Sequence, residues 1–354
     1  MSEQNLDLAA MKKTPGRYEV SVLPDVFLDR IVTVGSLDSF FKSTKEKVSI
    51  GGGSLRGFKE QEIIGGNAAN IAKALASLGV NVNLFVVADG FSESILRWYF
   101  SQYPNANVFV IEGRPGYTVA LEFTEGDKHA NVMVSDMGDI ENFDGSAFSE
   151  GDLKLIGHSD AVALVNWSAN LRGNELAARV FSLPTKKECL TFLDLADPGG
   201  AVSRFPGLVG NVISKGLLRS LSLNENELRV LARFQKINVL PEPYTLKQLT
   251  RAAQDLSNVM NISIEAHTAL GTCSVSGNEI ASANTFSVQP KILTGAGDAW
   301  NAAEIFATLS GFDRLDRILF ANAYAATYVS ENRERSPRLE DVEAFLSSRG
   351  ITFS

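Results

Sequence analysis

Only two cysteines, Cys189 and Cys273, and three histidines, His129, His158 and His267, are spread over 354 residues. None falls at the spacing of a zinc motif, and isolated cysteines fit reduced thiols, which predicts a cytoplasmic location. A basic excess is missing too: the formal net charge is -8, which argues against a broad electrostatic surface for nucleic acid. No run approaches the roughly 18 uninterrupted apolar residues of a membrane span. The opening MSEQNLDLAAMKK has acidic residues and no sustained apolar core, so it does not read as a signal peptide. Three familiar signatures are also absent. There is no G-x-x-x-x-G-K-[ST], GAGDAW lacks the last glycine of G-x-G-x-x-G, and no G-x-S-x-G occurs. These absences exclude a P-loop, disfavour a nicotinamide-dependent enzyme and weaken the case for an esterase nucleophile.

What is present reads as an ordinary α/β protein, 45% hydrophobic and 21% charged. Residues 1–28 carry no clear periodicity and are expected as an N-terminal extension or an extra edge element. Ile31 to Val34 reads as a buried strand. EKVSIGGGSLRGFKEQEII, 46–64, reads as a hairpin around a glycine cluster, and YTVALEFTEGDKHANVMVS, 117–135, as a second hairpin around EGDK. Such pieces cannot stand alone, so they are expected to join into one small sheet over the larger domain, a lid. Between them, AANIAKALASLG is a helix with Gly65 and Gly66 before it and Gly79 at its C-terminal cap. Leu96, Trp98, Tyr99 and Phe100 read as a core-facing helix end. From residue 158 strands and helices alternate, which predicts a mostly parallel sheet covered on both faces, with NTFSVQ among the last short strands. In such sheets ligands sit beyond the carboxyl ends of the strands.

Three turns carry polar groups suited to chemistry. In LTGAGDAW, Gly295 and Gly297 let backbone N–H groups converge at the start of a helix, where the dipole favours an anion such as a transferring phosphoryl. Asp298 there could accept the proton of an attacking hydroxyl or merely cap the helix. Its low intrinsic pKa, lowered further by a helix terminus, would make it a weak base. In IIGGNAANIAKAL, Asn67 and Asn70 share a helix face and suit a polyhydroxylated ligand, or serve as a cap and a solvated side chain. In SLNENEL, Asn224 and Glu227 form a capping box or organise magnesium-bound water. His267, on an apolar strand, reads as a core or pocket-wall residue.

Together these pieces resemble the ribokinase-like carbohydrate kinases, the PfkB family, from about residue 30 to the C-terminus. The strongest parts are GGNAANIAKALASLG, Asn224-x-x-Glu227, TGAGDAWNAA and ANAYAATYV, in that order. The resemblance implies a three-layer αβα sandwich over residues 29–354, with lid segments at about 44–64 and 116–137. It implies Asp298 as general base, and Gly295, Ala296 and Gly297 as anion hole. Gly66, Asn67 and Asn70 would hold the sugar. Asn224 and Glu227 would serve the nucleotide phosphates and Mg²⁺, Glu227 through water, while Thr268 and Gly271 face the nucleotide and Asn322 lies beside the adenine. The co-substrate implied is ATP.

The chain departs from that pattern in three places. For the family's substrate aspartate after the first strand, GSLDSFF offers Asp38, with Phe40 where the acid would align. Ile292 and Leu293 replace Asp-Thr before the glycine turn, which speaks against a monovalent-cation site. Ala266, His267 and Thr268 stand in place of T-x-G, with Gly271 in register. The expected activity is phosphate transfer from ATP to a sugar or sugar acid. Its alternatives are a nucleoside kinase, favoured by an apolar Phe40, and a ligand sensor without turnover. A phosphorylated sugar would instead call on Arg56, Arg114 or Arg172. Expected partners are a small-molecule sugar or nucleoside and a second copy of the chain through the lid, with no nucleic acid and no membrane.

Overall fold

The computed structural model describes residues 11–126, 128–330 and 335–351. In chain order the strands are β1 (Glu19–Leu23), β2 (Phe27–Gly35), β3 (Lys59–Gly65), β4 (Asn81–Ala88), β5 (Ala106–Glu112), β6 (Gly116–Glu125), β7 (Lys128–Asp136), β8 (Ala161–Leu164), β9 (Leu190–Asp194), β10 (Ser220–Leu223), β11 (Ser263–His267), β12 (Gly271–Ser276) and β13 (Glu279–Asn284). They form a nine-stranded sheet of order β13-β12-β11-β10-β9-β8-β1-β4-β5 and a four-stranded sheet of order β3-β2-β6-β7. In the large sheet only β12 and β13 run antiparallel to their neighbours.

Alternation along the central strands feeds two cores. Leu84 and Val86 of β4 pack with the helices Asn67–Ser77, Ala296–Leu309 and Arg314–Ser330 on one face. Phe85 and Val87 pack with Gly173–Phe181, Glu225–Phe234 and Leu246–Met260 on the other. Period-two side chains buried on both sides of parallel strands give the three-layer sandwich that the apolar runs imply.

Several expectations are corrected. Residues 19–23, read as part of an extension, form β1 at the middle of the large sheet, between β4 and β8. The signal is short and interrupted by Ser21, which is buried because its hydroxyl meets Ser159 Oγ at 2.8 Å. Residues 1–10 lie outside the described residues. Ile31 to Val34 belongs to β2, in the small sheet. No hairpin spans 46–64: Leu37–Ser49 is a helix capped by Ser36, and β3 pairs antiparallel with β2. Apolar residues at 37, 40, 41, 44 and 48 have helical spacing only if Thr44 is counted, which hid the pattern. β6 and β7 pair antiparallel, as their alternation predicts; Asp127 of EGDK lies outside the described residues. Trp98 is 75% exposed, because Gly90–Phe100 buries Ser92, Leu96 and Phe100, at i, i+4 and i+8, and turns Trp98 away. The last strand is β13 rather than NTFSVQ, since the β12–β13 hairpin turns at Gly277 (φ 59°).

Candidate active site

The helix Ala296–Leu309 starts without a side-chain cap, at Gly295 in the left-handed region (φ 81°). The close approach is real: a Cβ on Gly295 would lie 2.7 Å from Tyr328 Oη and 3.7 Å from Asn70 Nδ2, and one on Gly297 would lie 3.3 Å from His267 Cε1. The uncapped first turn keeps backbone donors and the positive end of the dipole available to an anion. One expected donor is already used, since the Ala296 N–H donates to Leu293 O at 3.1 Å.

Asp298 is 7% exposed. Its Oδ1 accepts from Asn67 Nδ2 at 3.0 Å and its Oδ2 from Asn70 Nδ2 at 2.9 Å. Asp298 is therefore held by two side-chain amides from another helix, although it sits in the first turn of its own. Burial pushes its pKa well above the carboxylate range, Asn70 and Lys73 pull it back, and Asp194 and Asp25 push it further. The weak base expected from a helix terminus is corrected accordingly: desolvation outweighs the dipole.

Neither asparagine caps its own helix. That helix begins at Gly66 (φ 96°), where a Cβ would come 2.9 Å from Val26 Cα. Its capping acceptor is Asp25, two residues past β1, which takes the N–H groups of Asn67 at 3.0 Å and Ala68 at 2.8 Å, and Asn166 Nδ2 at 3.0 Å. Four residues later, Asp29 leaves Oδ1 buried without a hydrogen-bond partner among the described residues, while its other oxygen rests against the bare Cα of Gly65. Burial lifts its pKa to about 6, against a hydrogen bond from Thr118. Asp25 and Asp29 are the acids that follow the first strand, and both were missed because that strand was. Asp38 instead stands exposed in the first turn of Leu37–Ser49, outside this hydrogen-bonded set. Phe40 packs edge-on against Phe58 and Phe123, with ring centroids 6.0 and 5.9 Å away, so its ring is part of the small sheet's packing.

A second helix start, Glu225–Phe234, is closed. Asn224 Oδ1 accepts the N–H groups of Asn226 and Glu227, and Glu227 returns its carboxylate to the Asn224 backbone N–H at 2.9 Å and to Asn224 Nδ2 at 2.5 Å. Burial, and next Asp194, push the Glu227 pKa well up. Asp194, at the end of β9, accepts from Asn301 Nδ2 at 2.8 Å and the Ala196 N–H at 2.9 Å, with burial lifting it to about 6. Asn301 lies on the Asp298 helix, so Asp194 is bonded to that helix while its charge repels Glu227 at the other helix start. Among the described residues no three His, Cys, Asp or Glu side chains are placed to hold a metal directly.

The remaining expected residues are committed internally. Thr268 Oγ1 donates to Gly271 O at 2.8 Å and accepts the Gly271 N–H at 3.2 Å, closing the β11–β12 turn. Asn322, expected beside an adenine, is 3% exposed; its amide donates to Thr272 Oγ1 at 3.0 Å and accepts from Trp300 Nε1 at 2.9 Å. His267 stacks on Trp300 at 5.0 Å with Nε2 buried and unpartnered, and burial lowers its pKa to about 4, so it is neutral. Arg114 pairs with Asp136 and Arg172 with Asp144.

A family model described as pfkB family carbohydrate kinase matches residues 28–341. No curated protein sequence matches. Among solved structures, the ribokinase of Arabidopsis thaliana complexed with ribose and ATP is 19% identical with a TM-score of 0.72, over 93% of this chain and 98% of that one. The Thermotoga maritima ribokinase is 18% identical with a TM-score of 0.70, over 93% and 99%. The adenosine kinase of Sinorhizobium meliloti is 16% identical with a TM-score of 0.69, over 94% and 100%. At these identities the structures show a shared fold. No described helix is long and apolar enough to cross a membrane. With the family model spanning most of the sandwich and both helix starts, the chain belongs to the pfkB family of carbohydrate kinases and is a sugar or nucleoside phosphotransferase.

Proposed function

We propose that the protein transfers the γ-phosphate of ATP to a hydroxyl of an uncharged sugar. The observation that carries this is Asp298, fixed by Asn67 and Asn70 beside an uncapped helix start. In this reading Asp298 takes the proton of the acceptor hydroxyl. Its raised pKa brings basicity nearer to neutral pH, where general-base assistance is worth about 10²- to 10⁴-fold. The Gly295–Gly297 turn and the helix dipole meet the charge on the transferring phosphoryl. Asp29, with its unpartnered oxygen, receives an acceptor hydroxyl. Asn67 and Asn70 spend their N–H donors on Asp298 and keep their carbonyl oxygens for the sugar.

Mg²⁺ would fit as a hydrated ion, because a cation near Glu227 and Asp194 would relieve the repulsion between them, with no direct ligand set among the described residues. When bound, it offsets charge between the phosphates. The small sheet would close over the acceptor and exclude the water that competes for phosphate. Exposed Val132, Met133 and Val134 on β7 support association of two copies through that sheet.

The acids around the acceptor argue against a phosphorylated one, and Arg114 and Arg172 are paired elsewhere, which leaves the exposed Arg56 as the remaining candidate clamp for a phosphorylated sugar. Because Phe40 is used in packing, it lends no support to a flat nucleoside. A panel of sugars, sugar acids, sugar phosphates and nucleosides, assayed with ATP or ADP and Mg²⁺, tests the reading. The expected result is ADP formation with neutral sugars. Turnover confined to nucleosides, or tight binding without nucleotide consumption, would overturn it.

A further inference from the structure

Lys73 lies on the same helix face as Asn67 and Asn70, at successive steps of three, and thus beneath the pair that holds Asp298. Its Nζ donates to Ile64 O at 3.2 Å and sits 5.4 Å from the centre of the Tyr99 ring. Ile64 immediately precedes Gly65, the residue against which Asp29 packs. The two carboxylates that act on Lys73 are Asp298 and Asp29. Lys73 is half-buried and makes no direct ion pair with either carboxylate among the described residues, so it acts on both through space, in surroundings where water screens only part of its charge.

We propose that Lys73 is a positioning residue of the site, the counter-cation shared by Asp298 and Asp29 that favours the charged form of each. This rests on the assignment of Asp298 as base. The other groups facing Asp298 cannot substitute. Asp25 and Asp194 are acids, Tyr328 stays neutral with its pKa lifted to about 12 by burial and by Asp298, and His267 across Gly297 is neutral. Lys73 itself is lowered only to about 8 by burial, so it remains mostly charged at neutral pH. On the Lys73 side, Tyr99 offers a ring face and no charge.

The test compares wild type, Lys73→Met and Lys73→Arg in kcat/KM between pH 5 and 9, with nucleotide affinity and thermal unfolding alongside. Loss of a nearby opposite charge shifts a carboxylate up by about one pH unit or more. Lys73→Met should therefore move the acid limb upward by about one unit, cutting kcat/KM about tenfold along that limb and much less on the plateau above it. Lys73→Arg should restore the limb, and nucleotide affinity should hold in both. An acid limb that coincides in wild type and Lys73→Met would overturn the proposal. A carboxyl carbon-13 titration of the Asp298 resonance, assigned by its loss in Asp298→Asn, reads the same shift without turnover. Should the chain transfer no phosphate, that titration still decides the role of Lys73.

Discussion

Two helices begin at the same edge of the large sheet with opposite solutions to their unpaired N–H groups. Glu225–Phe234 closes its start with Asn224 and Glu227, each satisfying the other. Ala296–Leu309 leaves its start open at Gly295 and hands its own first-turn acid, Asp298, to two amides of a neighbouring helix. Capping consumes the donors that an anion would use, so the same local motif is structural when it folds back on itself and chemical when it is held from outside. Both acids are desolvated and pushed upward, which means pKa alone does not separate them. Partner geometry does.

The sharpest way to break the comparison is Asp298→Asn. The amide cannot take a proton, and its NH₂ would oppose the Nδ2 of Asn67 or Asn70. Turnover should fall at least about 10²-fold, with nucleotide affinity near normal by calorimetry. Loss of nucleotide binding of the same size would instead place Asp298 on the donor side. Gly295→Ala comes next. An alanine held at φ 81° costs roughly 1–2 kcal/mol, and its Cβ would press on Tyr328 Oη, which donates to Thr294 O at 3.0 Å. kcat/KM should drop about tenfold with a lowered melting temperature, and Tyr328→Phe in the same chain should recover part of the loss, a coupling a double-mutant cycle measures.

The sequence was most readable where chemistry and local structure share one short segment. The glycines and asparagines at 65–70, and the turn at 293–300, declare two helix starts within a few residues, and the structure joins them through Asn67, Asn70 and Asp298. The three-layer fold was equally readable, because apolar runs buried on both faces leave few alternatives. What stayed hidden depends on partners far along the chain. β1 looks like a tail until Ser21 meets Ser159, 138 residues away. Once β1 is lost, Asp25 and Asp29 have no strand to follow, and Asp38 takes their place by default. Asn322 was placed beside an adenine by the resemblance alone, and no local pattern announces its partners Trp300 and Thr272, 22 and 50 residues distant. Lys73 lies within GGNAANIAKALASLG, but that stretch assigns it no role; it follows Asn70, which holds Asp298, by three positions on the same helix.

The smallest effect is expected at the closed start, where two substitutions separate capping from metal chemistry. Glu227→Ala strips the Asn224 N–H of its acceptor and should cost about 1 kcal/mol in denaturant unfolding. Glu227→Gln keeps one oxygen for that N–H but sets its NH₂ against the Asn224 Nδ2 donor, so its stability should fall between wild type and Glu227→Ala. If the carboxylate also steadies a hydrated Mg²⁺, Glu227→Gln should need several-fold more Mg²⁺ for half-maximal turnover, whereas Glu227→Ala and Glu227→Gln would differ only in stability if the role is capping alone. A magnesium requirement identical in wild type and Glu227→Gln would reduce Asn224 and Glu227 to a helix cap, and would leave Asp194, bonded to Asn301 of the open helix, as the residue to test for the phosphates' counter-ion.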